Sequence, residues 1–178
     1  YLYDKFVNSV TADVSEIWDT EGIVNIQSVN ESRQNDTDVL LLGRSTTPDA
    51  GKVSKEYGKV NQDTETRFMF KTTGKNHFGI SLKGENDYYV FGFDIYGTTP
   101  YFDGTKLNES ICGSVWHEAK FIFDVDTNVI DFYLNDRKLA SKKFVFADSV
   151  IGLSVEGNGG QQVDDVTIQA IDRTTTII

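Results

Sequence analysis

Hydrophobic and polar residues alternate along most of this chain, a pattern that predicts strands with one buried face. In residues 64–73, Thr66, Phe68 and Phe70 share one face, and Arg67 lies on the other. The same alternation, bounded by turn residues, predicts further strands at 24–29, 38–44, 52–57, 78–83, 87–97, 115–124, 130–134, 150–156 and 163–171. The best helix candidate is the short segment Val10–Trp18, so the pattern does not predict a helical fold.

Many short strands separated by glycine-rich turns are typical of an all-β fold. We therefore predict a single antiparallel two-sheet β-sandwich or jelly roll. Turns are expected at Asp126–Asn128 and at Asn135–Asp136, where turn-forming residues separate alternating segments. The side chains expected between the sheets are Phe68, Phe70, Phe91, Phe93, Phe121, Phe123, Ile130, Phe132 and Leu134.

The length of 178 residues fits one domain with a core that needs no disulfide. We assign residues 1–172 to this domain and the threonine-rich residues 173–178 to the start of a linker or tail. The first residue is Tyr1, which indicates a domain cut from a longer polypeptide with covalently linked neighbours. No apolar run approaches the ~18 residues of a membrane span.

The charge of the chain is strongly acidic. The difference between 17 basic and 27 acidic residues is a net charge of −10, which argues against nucleic acid and anionic membranes as partners. It is compatible with neutral or basic ligands and with hard cations such as calcium.

The residues that common catalytic sites require are scarce. Cys112 is the only cysteine, which excludes an intramolecular disulfide and a cysteine-based zinc site, and it is expected to be a half-buried small hydrophobe. The sequence lacks the motifs of nucleophilic hydrolases, phosphate-binding loops and zinc proteases. It also lacks the carboxylate triplet of retaining glycosidases on this class of fold, and Asp124 and Asp126 are expected to be turn residues. We therefore predict a binding domain without catalytic residues.

Several segments together resemble a known group of domains. They are Tyr3–Phe6, Ile17–Trp18, Trp116–Asp124, Asp126–Thr127, Ile130–Asp136 and Val163–Val166. Their order and spacing resemble the concanavalin-A-like, laminin-G-like sandwich domains appended to secreted polysaccharide lyases and glycosidases. One departure is the pair Asp136–Arg137, where a glycine usually follows the Asn or Asp. Among carbohydrate-binding modules, the fructan-binding family 66 type is the nearest that we can name.

This resemblance implies a function and a location. The chain is expected to be a secreted or cell-surface, bacterial, non-catalytic carbohydrate-binding module. It would act as a monomer that directs a modular enzyme or surface protein to a polysaccharide or oligosaccharide. The alternatives are an adhesion domain for a host glycan or protein, and a glycoside hydrolase or lyase. The resemblance also implies that Trp18 and Trp116 pack under a sheet.

Sugar recognition needs flat aromatic faces and planar polar groups. The candidates are Arg67, Tyr88, Asp94, Tyr96, Tyr101, Glu118 and Tyr133. Arg67 comes first because it projects from mid-strand, where Asp94 or Glu118 is expected to orient its guanidinium toward vicinal hydroxyls or a uronate. The alternative is a cross-strand ion pair that only stabilises the sheet.

A structural calcium ion is also predicted, joining the two ends of the chain. Asp4 lies near the start and Asp164 and Asp165 near the end, and chain termini are often close together. Jelly-roll modules of the kind that the sequence resembles often bind calcium there. The alternative is that Asp164 and Asp165 are edge-strand carboxylates that face water.

Overall fold

Two antiparallel sheets account for nearly all of the described chain. The computed structural model describes residues 2–4, 19–33, 36–44, 49–56, 62–84, 89–143 and 150–171, and none of these residues forms a helix. The described part of the chain therefore holds no helix that could cross a membrane. The strands are β1 (Leu2–Asp4), β2 (Asp19–Gly22), β3 (Val24–Arg33), β4 (Asp36–Leu42), β5 (Ala50–Glu56), β6 (Thr64–Lys71), β7 (His77–Gly84), β8 (Tyr89–Tyr96), β9 (Thr99–Phe102), β10 (Thr105–Lys106), β11 (Trp116–Asp124), β12 (Val129–Leu134), β13 (Arg137–Lys143), β14 (Val150–Asn158) and β15 (Gln161–Ala170).

The strands divide into two sheets. The eight-stranded sheet has the order β13-β12-β11-β6-β15-β4-β3, and β1 pairs with β15 outside this path. The seven-stranded sheet has the order β10-β9-β8-β7-β14-β5-β2. The predicted all-β, two-sheet antiparallel sandwich is thus confirmed.

Alternation places the core between the two sheets. Along β6, buried residues alternate with half-buried ones, because successive strand side chains point to opposite faces. Phe93 of the seven-stranded sheet and Phe132 of the eight-stranded sheet join the two layers, with ring centroids 4.5 Å apart. The predicted core residues are confirmed as buried, apart from Phe91, whose side chain lies outside the described part of the structure.

Both predicted turns are present. Asn135 and Asp136 have φ angles of 48° and 64°, which are the positive values that a tight two-residue hairpin requires. Asp124 Oδ1 accepts hydrogen bonds from the backbone N–H groups of Asp126 and Thr127, at 3.0 Å each. Asp124 is therefore a turn residue, as predicted.

Some strands carry too little hydrophobic signal to be found by alternation. Strand β13 lies at the edge of its sheet and contains three lysines and one arginine, which are residues that natural edge strands use against unwanted pairing. Strands β9 and β10 are only four and two residues long. The helix candidate Val10–Trp18 lies outside the described residues.

The predictions for Trp116 and Cys112 were wrong. Trp116 is half-buried and pairs with Lys71, whose side chain points away from the core, and Lys71 Nζ lies 6.0 Å from the tryptophan ring. Cys112 is exposed. Because paired residues of neighbouring strands share a face, Trp116 lies with Lys71 on the outer face of the sheet. The other tryptophan, Trp18, lies outside the described residues.

Candidate functional site

The predicted sugar-binding residues do not form one site, because the two sheets divide them. Arg67, Glu118 and Tyr133 lie on the eight-stranded sheet, on β6, β11 and β12. The second group, on β8 and β9 of the seven-stranded sheet, consists of Asp94, Tyr96 and Tyr101. Both groups alternate with core residues, so they point away from the core on opposite faces of the sandwich. The remaining candidate, Tyr88, lies outside the described residues.

The group on the eight-stranded sheet is engaged with its own neighbours. Arg67 Nη2 lies 2.9 Å from Glu65 Oε1, and Arg67 Nη1 lies 3.9 Å from Glu118 Oε2. Of the two carboxylates expected to orient Arg67, Glu118 lies beside it, and Asp94 is on the other sheet. Lys120 Nζ lies 4.8 Å from the centroid of the Tyr133 ring. These contacts favour the alternative role of Arg67, in which an ion pair stabilises the sheet.

A second polar cluster lies on the outer face of the seven-stranded sheet. His77 Nε2 lies 2.7 Å from Asp94 Oδ1, and His77 Nδ1 lies 4.0 Å from Glu156 Oε1. One potential ligand atom from each of the three residues lies within 4.8 Å of the others. We call His77, Asp94 and Glu156 the histidine–carboxylate cluster. It is the only such group of three histidine, cysteine or acidic residues found in the described part of the chain.

Strand register explains why these residues meet. Gly79 of β7 pairs with Asp94 of β8 on one side and with Glu156 of β14 on the other. A Cβ atom at Gly79 would lie 2.6 Å from Asp94 Oδ1 and 3.0 Å from His77 Cε1. The missing side chain at Gly79 therefore leaves the space in which the imidazole and the Asp94 carboxylate approach each other.

Two tyrosine rings border this cluster, and that of Tyr96 is exposed. Tyr96 is 57% exposed, and its ring stacks on the ring of His77 with centroids 4.7 Å apart and an interplanar angle of 27°. Tyr101, which pairs with Asp94, meets Tyr96 edge to face at 5.6 Å. Partial burial, followed by the negative charges of Asp94 and Glu156, raises the pKa of the Tyr96 phenol above 10.0. The hydroxyl therefore stays protonated at neutral pH and can donate a hydrogen bond.

Small side chains line the sheet next to the cluster. A row of strand partners runs from Gly92 through Ser81 and Ser154 to Ser54, on four neighbouring strands. Within this small-residue row, Ser54 and Ser81 are half-buried, and Gly92 and Ser154 are buried.

A recess of about 240 Å³ adjoins Glu156 on its other side, lined among others by Glu21, Lys52, His77 and Asn158. Asn158 Oδ1 accepts a hydrogen bond from the backbone N–H of His77 at 2.7 Å. The Asn158 backbone oxygen in turn accepts one from Gln161 Nε2 at 3.0 Å. The walls of the recess are thus held in place by contacts between strands.

The histidine–carboxylate cluster was only partly visible in the sequence. Asp94 was a candidate, but His77 and Glu156 were missed because they come from strands far apart in the chain. Alternation along a single strand carries no signal for the strand pairing that brings His77 and Glu156 together. The other histidine, His117, has a structural role, because its ring nitrogens contact the Cys112 backbone oxygen and the Asn135 side-chain amide.

The two chain ends meet where the calcium ion was predicted. Asp4 pairs with Val166, next to Asp165, although the side chain of Asp4 lies outside the described part of the structure. Asp164 is 1% exposed, and its Oδ1 accepts a hydrogen bond from the Asp165 backbone N–H at 2.8 Å. Strand β15 pairs on both sides, so the alternative of a water-facing edge-strand carboxylate was wrong for Asp164. Carboxylate oxygens are ligands that calcium prefers, and metal binding there stays a prediction.

The register of β15 slips at this point. The pairing with β6 shifts between Asp164 and Thr167, and Asp165 has a φ of 51°. Such a bulge changes the direction in which the neighbouring side chains point.

No protein-family model matches the chain, and no curated protein matches it in sequence. Solved structures do match. A sialidase superimposes with a TM-score of 0.70 at 11% identity, covering 96% of this chain and 18% of the sialidase. The potassium-bound carbohydrate recognition domain of Emp46p gives 0.67 at 14% identity, covering 96% of this chain and 97% of that domain.

A botulinum neurotoxin type C chain, whose cell entry depends on two ganglioside molecules, gives a TM-score of 0.61 at 13% identity. The match covers 97% of this chain and 48% of the toxin chain. This chain therefore spans about a fifth of the sialidase and about half of the toxin chain. At these low identities the comparisons show the fold, which is a lectin-like β-sandwich.

Proposed function

We propose that this chain is a non-catalytic carbohydrate-binding domain that binds sugar on the outer face of its seven-stranded sheet. The observation that carries the proposal is the exposed ring of Tyr96 beside the carboxylates of Asp94 and Glu156. The opposite face has its charged groups directed at one another, so it offers fewer free donors and acceptors to a ligand.

The chemistry of this face suits a sugar. The C–H surface of a pyranose or furanose ring packs on the flat rings of Tyr96 and Tyr101. Asp94 and Glu156 are acceptors for adjacent hydroxyl groups, and the protonated Tyr96 phenol is a donor. Since the cluster carries two carboxylates, a neutral sugar fits better than a uronate.

The comparisons support this proposal at the level of fold. One of the superimposed structures is the carbohydrate recognition domain of Emp46p, and another is a botulinum neurotoxin whose cell entry depends on gangliosides. The finer proposal is that the domain directs a secreted modular enzyme or surface protein to a polysaccharide. The sialidase match supports it, because a similar sandwich forms only 18% of that longer enzyme chain. A family 66 assignment remains part of this finer proposal.

One observation favours a second function, glycoside hydrolysis. Potential ligand oxygens of Asp94 and Glu156 lie within 4.8 Å, and retaining glycosidases hold their two carboxyl groups about 5–5.5 Å apart. However, the two side chains are 29% and 51% exposed. A catalytic acid is usually kept protonated by an apolar environment, which neither group has. We therefore favour binding over hydrolysis.

The experiment that tests the proposal is affinity electrophoresis of the wild-type chain in gels that contain soluble glycans, followed by a glycan array. Retarded migration in at least one neutral glycan supports the proposal. Reducing-end release from the same glycans is measured in parallel. Release of sugar would favour the hydrolase. If the chain shows no retardation in any gel and no binding to the array, both functions are contradicted.

A further inference from the structure

We propose that the histidine–carboxylate cluster is a binding site for a divalent transition-metal ion of the zinc class. The inference rests on the described contacts and does not depend on the proposed sugar-binding function. His77, Asp94 and Glu156 come from three neighbouring strands of one sheet, so the sheet itself holds their backbones in position.

The distances fit one ion after small side-chain rotations. Zinc lies about 2.0–2.2 Å from nitrogen and oxygen ligands, so ligand atoms of one ion are about 3–4 Å apart. In the cluster one potential ligand atom of each residue lies within 4.8 Å of the others, and His77 Nδ1 and Glu156 Oε1 are 4.0 Å apart. The side chain of Glu156 is 51% exposed and can rotate toward the ion at little cost. No backbone movement is therefore needed.

The orientation of the imidazole is fixed before any ion binds. A carboxylate only accepts hydrogen bonds, so the 2.7 Å contact with Asp94 places the proton of neutral His77 on Nε2. Nδ1 then carries the lone pair, and it faces Glu156 at 4.0 Å. This carboxylate–histidine arrangement is the one that orients metal-binding histidines in many proteins.

Further contacts restrain the ring. It stacks on Tyr96 at 4.7 Å, and the backbone N–H of His77 is bound to Asn158 Oδ1 at 2.7 Å. Gly79 leaves the space beneath the ring open. A ligand that is already oriented loses less entropy when it binds an ion.

The donor set also selects the class of metal. Imidazole nitrogen is a common ligand of zinc, copper, nickel and iron, whereas calcium and magnesium prefer sites made of oxygen alone. The cluster contains one nitrogen donor and two carboxylates, which neutralise a divalent ion. This separates it from the all-oxygen site predicted at Asp164 and Asp165. His77 Nδ1 and Glu156 are the protein ligands, Asp94 orients the imidazole, and open positions remain for water or for a ligand hydroxyl.

Isothermal titration with zinc chloride, without any sugar, tests the site. The wild-type chain is expected to bind one zinc ion, and His77→Ala and Glu156→Gln to weaken binding about tenfold or more. Two variants serve as controls: His117→Ala, which removes the other histidine, and Cys112→Ser, which removes the only thiol. Both controls are expected to bind zinc as the wild type does. Circular dichroism checks that every variant is folded.

The proposal is overturned if the wild-type chain does not bind zinc, or if His77→Ala and Glu156→Gln bind it unchanged. It is also overturned if Cys112→Ser or His117→Ala abolishes the zinc signal. Proton NMR offers a second readout, because the chain has two histidines. Zinc is expected to shift the His77 ring resonances and to leave those of His117 in place. Since no sugar is present, these outcomes are independent of glycan binding.

Discussion

Tyr96 meets Tyr101 edge to face, with ring centroids 5.6 Å apart and planes at 83°. The two tyrosines sit on β8 and β9, which are joined by the short turn at Gly97 and Thr98. The contact holds the ring of Tyr96 in place although 57% of the residue is exposed. A restrained and exposed aromatic ring loses little conformational entropy when a ligand stacks on it.

Tyr96→Ala is therefore expected to weaken glycan retention about tenfold or more, which corresponds to about 1.4 kcal/mol. The melting temperature should change little, because the side chain is mostly outside the core. Affinity electrophoresis and calorimetry measure the two effects. Tyr133→Ala is the matched control on the opposite face and should retain glycan. Equal loss in both variants would argue against a site on the seven-stranded sheet.

Gly79→Ala is expected to disrupt the histidine–carboxylate cluster without unfolding the domain. The added methyl group would lie 2.6 Å from Asp94 Oδ1, so the carboxylate must move away from His77. Both zinc affinity and glycan retention should fall, while the urea denaturation midpoint stays near that of the wild type. Ser81→Ala, two residues along the same strand, is the control for zinc affinity. An unchanged zinc titration for Gly79→Ala would show that the His77–Asp94 contact is not needed.

Arg67→Ala separates the two interpretations of that residue. Its ion pairs with Glu65 and Glu118 predict that the variant keeps glycan retention and loses about 0.2–1 kcal/mol of stability. Chemical denaturation measures the stability of the variant, and affinity electrophoresis measures its glycan retention. If glycan retention is abolished and stability is kept, the binding site lies on the eight-stranded sheet, as the predicted sugar-binding role of Arg67 implies.

Phe132→Ala is expected to cost about 3–5 kcal/mol of unfolding free energy, because truncation of a buried Phe leaves a cavity. Phe132 is 0% exposed and contacts the rings of Phe93, Phe102 and Phe121 at 4.5, 5.7 and 5.1 Å. Urea denaturation followed by tryptophan fluorescence measures the loss. A cost below about 1 kcal/mol would mean that this part of the core repacks around the deletion.

Removal of calcium by EDTA is expected to lower the melting temperature. A ligand present at about 100 times its dissociation constant stabilises the folded state by about 2.7 kcal/mol. After EDTA treatment and removal of the chelator, calcium should restore the original temperature in the wild type and fail to do so in Asp164→Asn. Adding zinc in place of calcium is the control, because zinc is expected to bind at the separate histidine–carboxylate cluster. An unchanged melting temperature with EDTA would contradict the predicted calcium ion.

Much of the fold follows from local pattern. Alternation in β6 determined that Phe68 and Phe70 are buried and that Arg67 faces outward, because strand side chains alternate between faces. The Asn135–Asp136 turn was likewise readable from its residue types. Edge strand β13 could not be predicted from the sequence, because it is stabilised by pairing with β12 more than by its own hydrophobic residues.

The proposed binding face depends on strand pairing, which the sequence does not display. Alternation shows that Arg67 and Asp94 both face outward, but it does not say to which sheet each strand belongs. Tertiary structure places them on opposite faces of the sandwich. It also brings Glu156 of β14 beside His77 of β7, because β14 inserts between β5 and β7. The sequence by itself therefore determined the fold class and much of the core, and only the long-range pairing of strands decided which polar residues meet.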